Sequence, residues 1–206
     1  MSKYFDISNT KKKVNTLKIS EKFESRYLLS HFEKLESLEK DLTRLPSKEE
    51  FFFLQTDNSF NAFTFIPFVC KQFAIKHLYA STYSISSKVV NALIELHDAG
   101  MVEQITLMIS DSMIRRNPKT IDNLCSMVNN RPNIKVLFAW VHAKVCIMET
   151  ATDHYIVEGS GNWAENAYYE QYTFANARGL FEFRKELFTN SHIRAKAESG
   201  GVVAVG

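Results

Sequence analysis

Cysteine is scarce in this sequence, and its three copies are far apart. Cys70, Cys125 and Cys146 form no Cys-x-x-Cys pair. Closely spaced cysteines are typical of zinc sites, and an even number of them is typical of a disulfide framework. The sequence therefore predicts neither kind of site, and we expect buried, reduced thiols in a cytoplasmic protein.

Long apolar runs are missing as well. The longest, residues 63 to 70, has eight residues and contains Pro67, whereas a helix that spans a bilayer needs about 20. Residues 1 to 20 lack the apolar centre of a secretory signal peptide. Together these absences predict a soluble protein without a membrane span.

The chain also has little excess charge. Its 25 Lys and Arg residues face 23 Asp and Glu residues, for a net charge of +2. Affinity for a polyanion must then come from a local patch. The candidates are the row Lys11 to Lys13 and a group formed by Arg115, Arg116 and Lys119. Either could instead be solvated surface.

With 206 residues and 45% hydrophobic content, the chain can bury one sizeable core. We predict an N-terminal arm and helix over residues 1 to 48, a main domain over residues 49 to 194, and a flexible, glycine-rich tail over residues 195 to 206. The helix, residues 20 to 45, carries leucines at seven-residue spacing and ends at Pro46. Its apolar stripe packs either on its own domain or on a partner's helix.

Strand and helix patterns alternate through the main domain. Strands are predicted at residues 51 to 55, 76 to 85, 102 to 109 and 134 to 140, and helices at 86 to 99 and 118 to 130. Residues 59 to 73 fit a helix or a loop, and we favour a helix. The alternation predicts an α/β fold with a mixed, mostly parallel sheet and helices on both faces. Such sheets bind ligands beyond the carboxyl ends of their strands, where Arg115, Arg116 and Lys119 would lie.

The most informative stretch starts at Trp140. Residues 141 to 148 are largely apolar and predict a buried strand, on which His142 and Lys144 would project side by side. A polar turn and a second apolar run, residues 155 to 157, lead into Gly159-Ser160-Gly161-Asn162. If the two runs pair, a lysine, a hydroxyl, a carboxamide and a histidine meet at one sheet end. These groups suit a phosphate and a base or nucleophile.

Each part of this pattern is unremarkable alone, because a single histidine is usually a core residue and a Gly-Ser-Gly-Asn turn is common. No lysine follows the glycines as in a nucleotide P-loop. The combination is more specific. His142-x-Lys144, four residues, Glu149, then Gly159-Ser160-x-Asn162 resembles the signature of the phospholipase D superfamily. Glu149 stands where that family has Asp, and nine residues separate it from Gly159, a longer spacing that a hairpin turn can absorb.

The resemblance implies a two-step displacement through a phosphohistidine. One histidine attacks phosphorus, and a second protonates the leaving oxygen and then activates water. Lys144, Ser160 and Asn162 would stabilise charge on the phosphoryl oxygens. Downstream, Glu170 resembles the carboxylate that orients the histidine, and Glu149 would support the site. No metal or other cofactor is required.

Such a mechanism needs two histidines, yet only His142 lies in an H-x-K motif. Family members with one motif obtain the second histidine by forming a homodimer, so we expect a two-fold dimer with both copies of His142 in one cleft. The resemblance favours a metal-independent nuclease acting on DNA or RNA. A phospholipase or other phosphodiesterase is the first alternative, and a non-catalytic nucleic-acid-binding dimer with a relic site is the second.

Overall fold

The computed structural model describes residues 26–56, 60–164, 169–190, 192–198 and 201–205. The row Lys11 to Lys13 lies outside them. Within them, nine strands form one sheet: β1 (Glu50–Thr56), β2 (Ile75–Thr82), β3 (Val102–Ser110), β4 (Ile134–Ala139), β5 (Val145–Glu149), β6 (His154–Gly159), β7 (Glu170–Asn176), β8 (Ile193–Glu198) and β9 (Gly201–Ala204). The helices are α1 (Arg26–Asp41), α2 (Phe65–Cys70), α3 (Ser87–Asp98), α4 (Ser112–Arg116), α5 (Pro118–Val128) and α6 (Arg178–Asn190).

The predicted strand-helix alternation is confirmed in the centre of the sheet. Strands β2, β3 and β4 are parallel neighbours, connected by α3 and by α4 with α5. Ser86 caps α3 by accepting a hydrogen bond from the backbone N–H of Val89 at 3.3 Å. Gly100, at φ 72°, allows the chain to leave that helix. Local sequence signals were sufficient here because each element begins and ends at a distinctive residue.

The full order of the sheet is β1-β7-β6-β5-β2-β3-β4-β8-β9. Only the β2–β3 and β3–β4 pairings are parallel, and the other six are antiparallel. The sheet is mixed as predicted, but the expectation that it is mostly parallel is wrong. A parallel neighbour requires a long crossover, whereas β5 and β6 are joined by a tight turn in which Thr150 N–H donates to Asp153 O at 3.0 Å.

The C-terminal residues are also more ordered than predicted. Strand β8 pairs with β4, and β9 pairs with β8 through Ala195 opposite Ala204. The described part of residues 195 to 206 therefore extends the sheet, and its prediction as a flexible tail is wrong. The segment alternates small or apolar residues with charged ones, a pattern of period two that is too weakly hydrophobic to stand out in the sequence.

Helices cover both faces of the sheet, as predicted. One apolar cluster contains residues of α1, α2, α3 and α5, and a second places Phe181 and Phe188 of α6 against the opposite face. Leu35 and Leu38 of α1, with Leu42 just after its end, are buried in the first cluster, so this helix packs on its own domain. No helix in the described ranges is long and apolar enough to span a membrane.

A core substitution in α1 tests that arrangement. Leu38 is 0% exposed, so Leu38→Ala should lower the free energy of unfolding by about 2–5 kcal/mol in a urea titration. Lys40→Ala, at an exposed position of the same helix, is the matched control and should change it by less than about 0.5 kcal/mol. Equal, small effects of both changes would show that α1 does not pack on the domain.

Candidate active site

One end of the sheet gathers the strand ends that the candidate site uses. The carboxyl ends of β2, β3 and β4 lie there, and Val145 at the start of β5 pairs with Ser81 near the end of β2. The end of β6 and the start of β7 meet at the same edge, through Gly159 opposite Tyr172. The topology therefore brings four separate loops together beyond the carboxyl ends of the parallel strands.

His142 and Lys144 lie just before β5 rather than within it, so their predicted placement in a strand is wrong. The pairing of β2 with β5 begins at Ser81 and Val145, and β2 ends one residue later. The residues just before Val145 therefore have no neighbouring strand to pair with in the described part of the chain. Ser81 holds this segment instead. Its buried hydroxyl donates to Ala143 O at 3.1 Å and accepts from Val145 N–H at 3.3 Å.

The side chains of His142 and Lys144 nevertheless lie next to each other. Nζ of Lys144 lies 3.0 Å from Nδ1 of the imidazole and donates to the backbone carbonyl of His142 at 2.9 Å. The contact brings a positive charge next to the imidazole, whose two nitrogens donate or accept according to the tautomer.

The electrostatic surroundings of Lys144 come from three sources. Burial lowers the pKa of its ammonium below the usual lysine value, and the nearby Glu170 carboxylate and Tyr83 act in the opposite direction. Its Nζ also lies 5.9 Å from the centroid of the Tyr83 ring. A half-buried cation beside a histidine is a suitable place for a phosphate, because a bound anion would offset the cost of burial.

The glycine-serine loop is fixed against Lys144 and β7. Gly159 N–H donates to Lys144 O at 3.3 Å, and a Cβ on Gly159 would lie 2.1 Å from the carbonyl oxygen of Gln171. Only glycine fits this close approach of two backbones. The next residue, Ser160, donates its hydroxyl hydrogen to Glu170 and accepts from Gln171 N–H at 3.1 Å.

Asn162 follows in a loop that Trp163 anchors. Trp163 is fully buried, and its backbone N–H donates to Thr82 Oγ1 at 3.2 Å and to Ser84 O at 3.1 Å. The Oδ1 atom of Asn162 is buried and, within the described ranges, has no hydrogen-bond partner. Buried polar atoms are rarely left unpaired, so this oxygen is a hydrogen-bond acceptor that the described residues leave open at the edge of the site.

Glu170 is buried at the start of β7, with 9% of its side chain exposed. Its carboxylate accepts the hydrogen bond from Ser160 and contributes to the field at Lys144. Among the described residues it makes no hydrogen bond to His142. The carboxylate therefore orients the serine hydroxyl in this chain, and its expected bond to the histidine is not formed here.

Glu149 lies at the other end of β5, paired with His77 on one side and His154 on the other. It is the fifth residue after Lys144 along the strand, which corresponds to about 17 Å at roughly 3.4 Å per residue. Its assignment to the site is therefore wrong. The motif spacing identifies Glu149 as a carboxylate but does not give its position. Because β5 is extended, Glu149 at its far end lies away from His142.

The predicted basic group is split by the structure. Arg116 lies over the Tyr83 ring, 4.3 Å from its centroid, and donates to Tyr83 O at 3.3 Å. Arg115 lines a cleft beside the site. Lys119 is exposed on the first turn of α5 and does not line that cleft. Two of the three predicted cations are thus close to the candidate site.

Sequence reasoning missed the aromatic side of the site. The Tyr83 ring lies 4.9 Å from the His142 ring, centroid to centroid, and so connects the histidine to Arg116. Tyr83 also lines the neighbouring cleft of about 310 Å³, with Ser110, Asp111, Ser112, Arg115, Trp140 and Arg194. Tyr83 directly follows the residues of β2, and Trp140 follows β4. Their position just beyond strand ends was the signal that could have identified them.

Comparison with known proteins gives structural but no sequence matches. No family model matches the chain, and no curated protein matches it significantly. A phospholipase D family member, Nuc, from Salmonella typhimurium is similar in structure, with a TM-score of 0.52 and 15% identity over 69% of this chain and 94% of that one.

Two larger proteins are similar as well. A polyphosphate kinase from Porphyromonas gingivalis has a TM-score of 0.52 and 10% identity over 69% of this chain. A phosphatidylserine synthase from Haemophilus influenzae has a TM-score of 0.51 and 14% identity over 76% of this chain. The match spans only 26% of the kinase and 40% of the synthase. By their names, both are enzymes that act on phosphate compounds. At these identities the likeness concerns the fold, and it confirms what the motif predicted: the chain has the phospholipase D-like α/β fold.

Proposed function

We propose that the protein is a metal-independent phosphodiesterase that hydrolyses nucleic acid, with His142 as the nucleophile. The contact between the Lys144 ammonium and the His142 imidazole is the observation that carries this proposal. It pairs a ring nitrogen with a positive charge at the end of the sheet where the parallel strands have their carboxyl ends. Attack on a phosphodiester requires both, because the phosphorus must be approached by a lone pair while the charge on its oxygens is balanced.

The reaction proceeds in two displacements. A ring nitrogen of His142 forms a bond to phosphorus as the bond from phosphorus to one ester oxygen breaks, and a second histidine donates a proton to that oxygen. A water molecule then gives its proton to the second histidine while its oxygen displaces the His142 nitrogen from phosphorus. The products are an alcohol and a phosphate monoester, and both histidines return to their starting states.

Lys144 and Asn162 would stabilise charge during these steps, and Ser160 would join them by turning its hydroxyl hydrogen from Glu170 to the phosphate. The ammonium of Lys144 would contact a phosphoryl oxygen from the side of His142. Glu170 holds the Ser160 hydroxyl, and the unpaired carboxamide of Asn162 can turn its NH₂ group toward the same anion, because the two ends of a carboxamide have nearly the same shape. Burial of Glu170 keeps its negative charge close to Lys144 without exposing it to the substrate.

Arg115 and Arg116 favour nucleic acid over other phosphodiesters. Arg116 is held against Tyr83, whose ring contacts His142, so a guanidinium lies one side chain away from the nucleophile. A polynucleotide offers further phosphates on either side of the one that reacts, and arginines at this distance can bind them. A diester with a single phosphate would leave these cations unused.

The second histidine is proposed to come from another copy of the chain. Among the other histidines whose side chains are described, His77 and His154 flank Glu149 at the opposite end of the sheet. His97 lies in α3 and bonds to Val102 O. His192 precedes β8, which β3 and β4 separate from β2, and within the described residues no ring contact or hydrogen bond joins it to His142. A two-fold axis beside the exposed His142 would instead bring two copies of it together.

The first test is cleavage of single-stranded DNA, plasmid DNA and RNA by purified protein in EDTA. We expect cleavage to persist without metal and to fall at least about 1,000-fold in His142→Ala, because the nucleophile is removed. Glu149→Gln is the matched control: it changes the same motif at the remote end of β5 and should retain activity within about three-fold of the unaltered protein.

Cleavage that EDTA abolishes would contradict the metal-independent mechanism. Cleavage that survives in His142→Ala would remove the proposed nucleophile. If no nucleic acid is cut but the protein hydrolyses a phospholipid, the substrate assignment is wrong. Salt-dependent binding without any cleavage would identify a nucleic-acid-binding protein with a relic site.

Subunit mixing tests the shared site. Sedimentation should give about twice the 23.7 kDa mass of one chain. After exchange with an equal amount of His142→Ala protein, the mixture should retain about a quarter of the activity of the same total amount of unaltered protein, because one dimer in four has both histidines. Retention of half would show that each chain has a complete site of its own.

A further inference from the structure

Trp140 is the most exposed large apolar side chain among the described residues, at 80%, whereas the other tryptophan, Trp163, is fully buried. A single exposed apolar residue needs no explanation in itself. This one, however, forms a wall of the 310 Å³ cleft that also contains Tyr83, and it lies two residues before His142 in the sequence. Its position, rather than its exposure, points to a role.

The indole ring is backed by an ion pair. The Arg194 guanidinium lies 5.4 Å from its centroid, and Nη1 of Arg194 is 2.7 Å from a carboxylate oxygen of Asp111. The backbone of Asp111 is fixed as well, because its N–H donates to Ala139 O at 2.9 Å. The ends of β3 and β4 therefore fix Asp111, Asp111 fixes Arg194, and Arg194 packs against the indole ring.

The other wall of the cleft is shared with the candidate active site. Tyr83 has Arg116 4.3 Å from its ring centroid and His142 4.9 Å away, ring to ring. A group bound in the cleft against Tyr83 would therefore lie within one side chain of the histidine. The remaining lining is polar: Ser110 and Ser112 hydrogen-bond to each other at 2.8 Å, and Arg115 adds a further cation.

The cleft suits a nucleobase. The volume of the cleft is at the lower end of the range for small-molecule sites, about 300–1,000 Å³. The exposed indole of Trp140 offers a face for stacking, while hydroxyls, a carboxylate and guanidinium groups offer hydrogen bonds to a base edge or a flanking phosphate. A lipid chain would instead require an apolar lining, and Asp111, Arg115 and Arg194 make this one charged.

We infer that the cleft between Trp140 and Tyr83 binds an unpaired nucleobase beside the phosphate that reacts, which makes single-stranded nucleic acid the substrate. This inference rests on the proposed function. A base in a duplex is stacked between its neighbours and would have to be pulled out before it could enter, at a cost of several kcal/mol. A single strand can insert a base without breaking pairs.

The two tryptophans allow a direct test by fluorescence in His142→Asn, which should bind without cleaving. A short oligothymidylate should quench the emission of exposed Trp140, because only a ring in contact with a base is quenched by stacking. An abasic deoxyribose-phosphate oligomer of the same length and charge, and a duplex, should quench it weakly. A second substitution in the His142→Asn protein, Trp140→Ala, should weaken its binding of the oligothymidylate by about 5- to 100-fold, because the stacking surface is lost. With Trp140→Phe instead, the affinity should stay within about three-fold.

The outcomes separate this inference from the proposed function. Quenching by the single strand, with no cleavage by the unaltered protein, would uphold the base site and overturn the nuclease. Cleavage of single strands with no quenching, and with full activity in Trp140→Ala, would overturn the base site alone. A Trp140→Ala protein that sediments as a monomer while the unaltered protein is a dimer would also overturn it, by assigning the indole to the contact between two copies.

Discussion

An ammonium group lies 3.0 Å from a ring nitrogen of His142, and the surrounding end of the sheet is built to keep it there. Ser81 fixes the backbone between the two residues, and Gly159 lets the next loop approach Lys144 closely enough for a backbone hydrogen bond. Burial disfavours the charge on Lys144, and the Glu170 carboxylate favours it. The result is a positive charge beside an imidazole, the pair of groups on which the proposed attack on a phosphodiester depends.

The mixed topology of the sheet explains how these groups come from distant parts of the chain. The parallel strands β2, β3 and β4 direct their carboxyl ends to one edge, and the antiparallel strands β5 to β7 add two starts and one end to that edge. Trp163 then connects the glycine-serine loop to the loop after β2 through backbone hydrogen bonds to Thr82 and Ser84. The strands bring the loops to one end of the sheet, and these loop contacts position the candidate site.

The sequence predicts those parts of the candidate site that lie close together in the chain. His142, Lys144 and Ser160 could be chosen as candidates because their spacing is local and their chemistry is distinctive. Glu149 was misplaced because spacing along a chain does not say in which direction a strand carries a residue. Tyr83, Trp140 and Arg194 were missed because three separate elements deliver them, and only tertiary structure makes them neighbours. The strands β7, β8 and β9 were missed since their apolar residues are few and their partners are remote in sequence.

The stereochemical course of the reaction at phosphorus tests the central claim most directly. Each in-line displacement inverts the configuration at phosphorus, so a reaction through a His142 intermediate has two inversions. With an oligonucleotide that carries a single phosphorothioate diastereomer, cleaved in water enriched in heavy oxygen, we predict retention of configuration. Inversion would show that water attacks the phosphodiester in one step, and it would contradict the proposed role of His142 as the nucleophile.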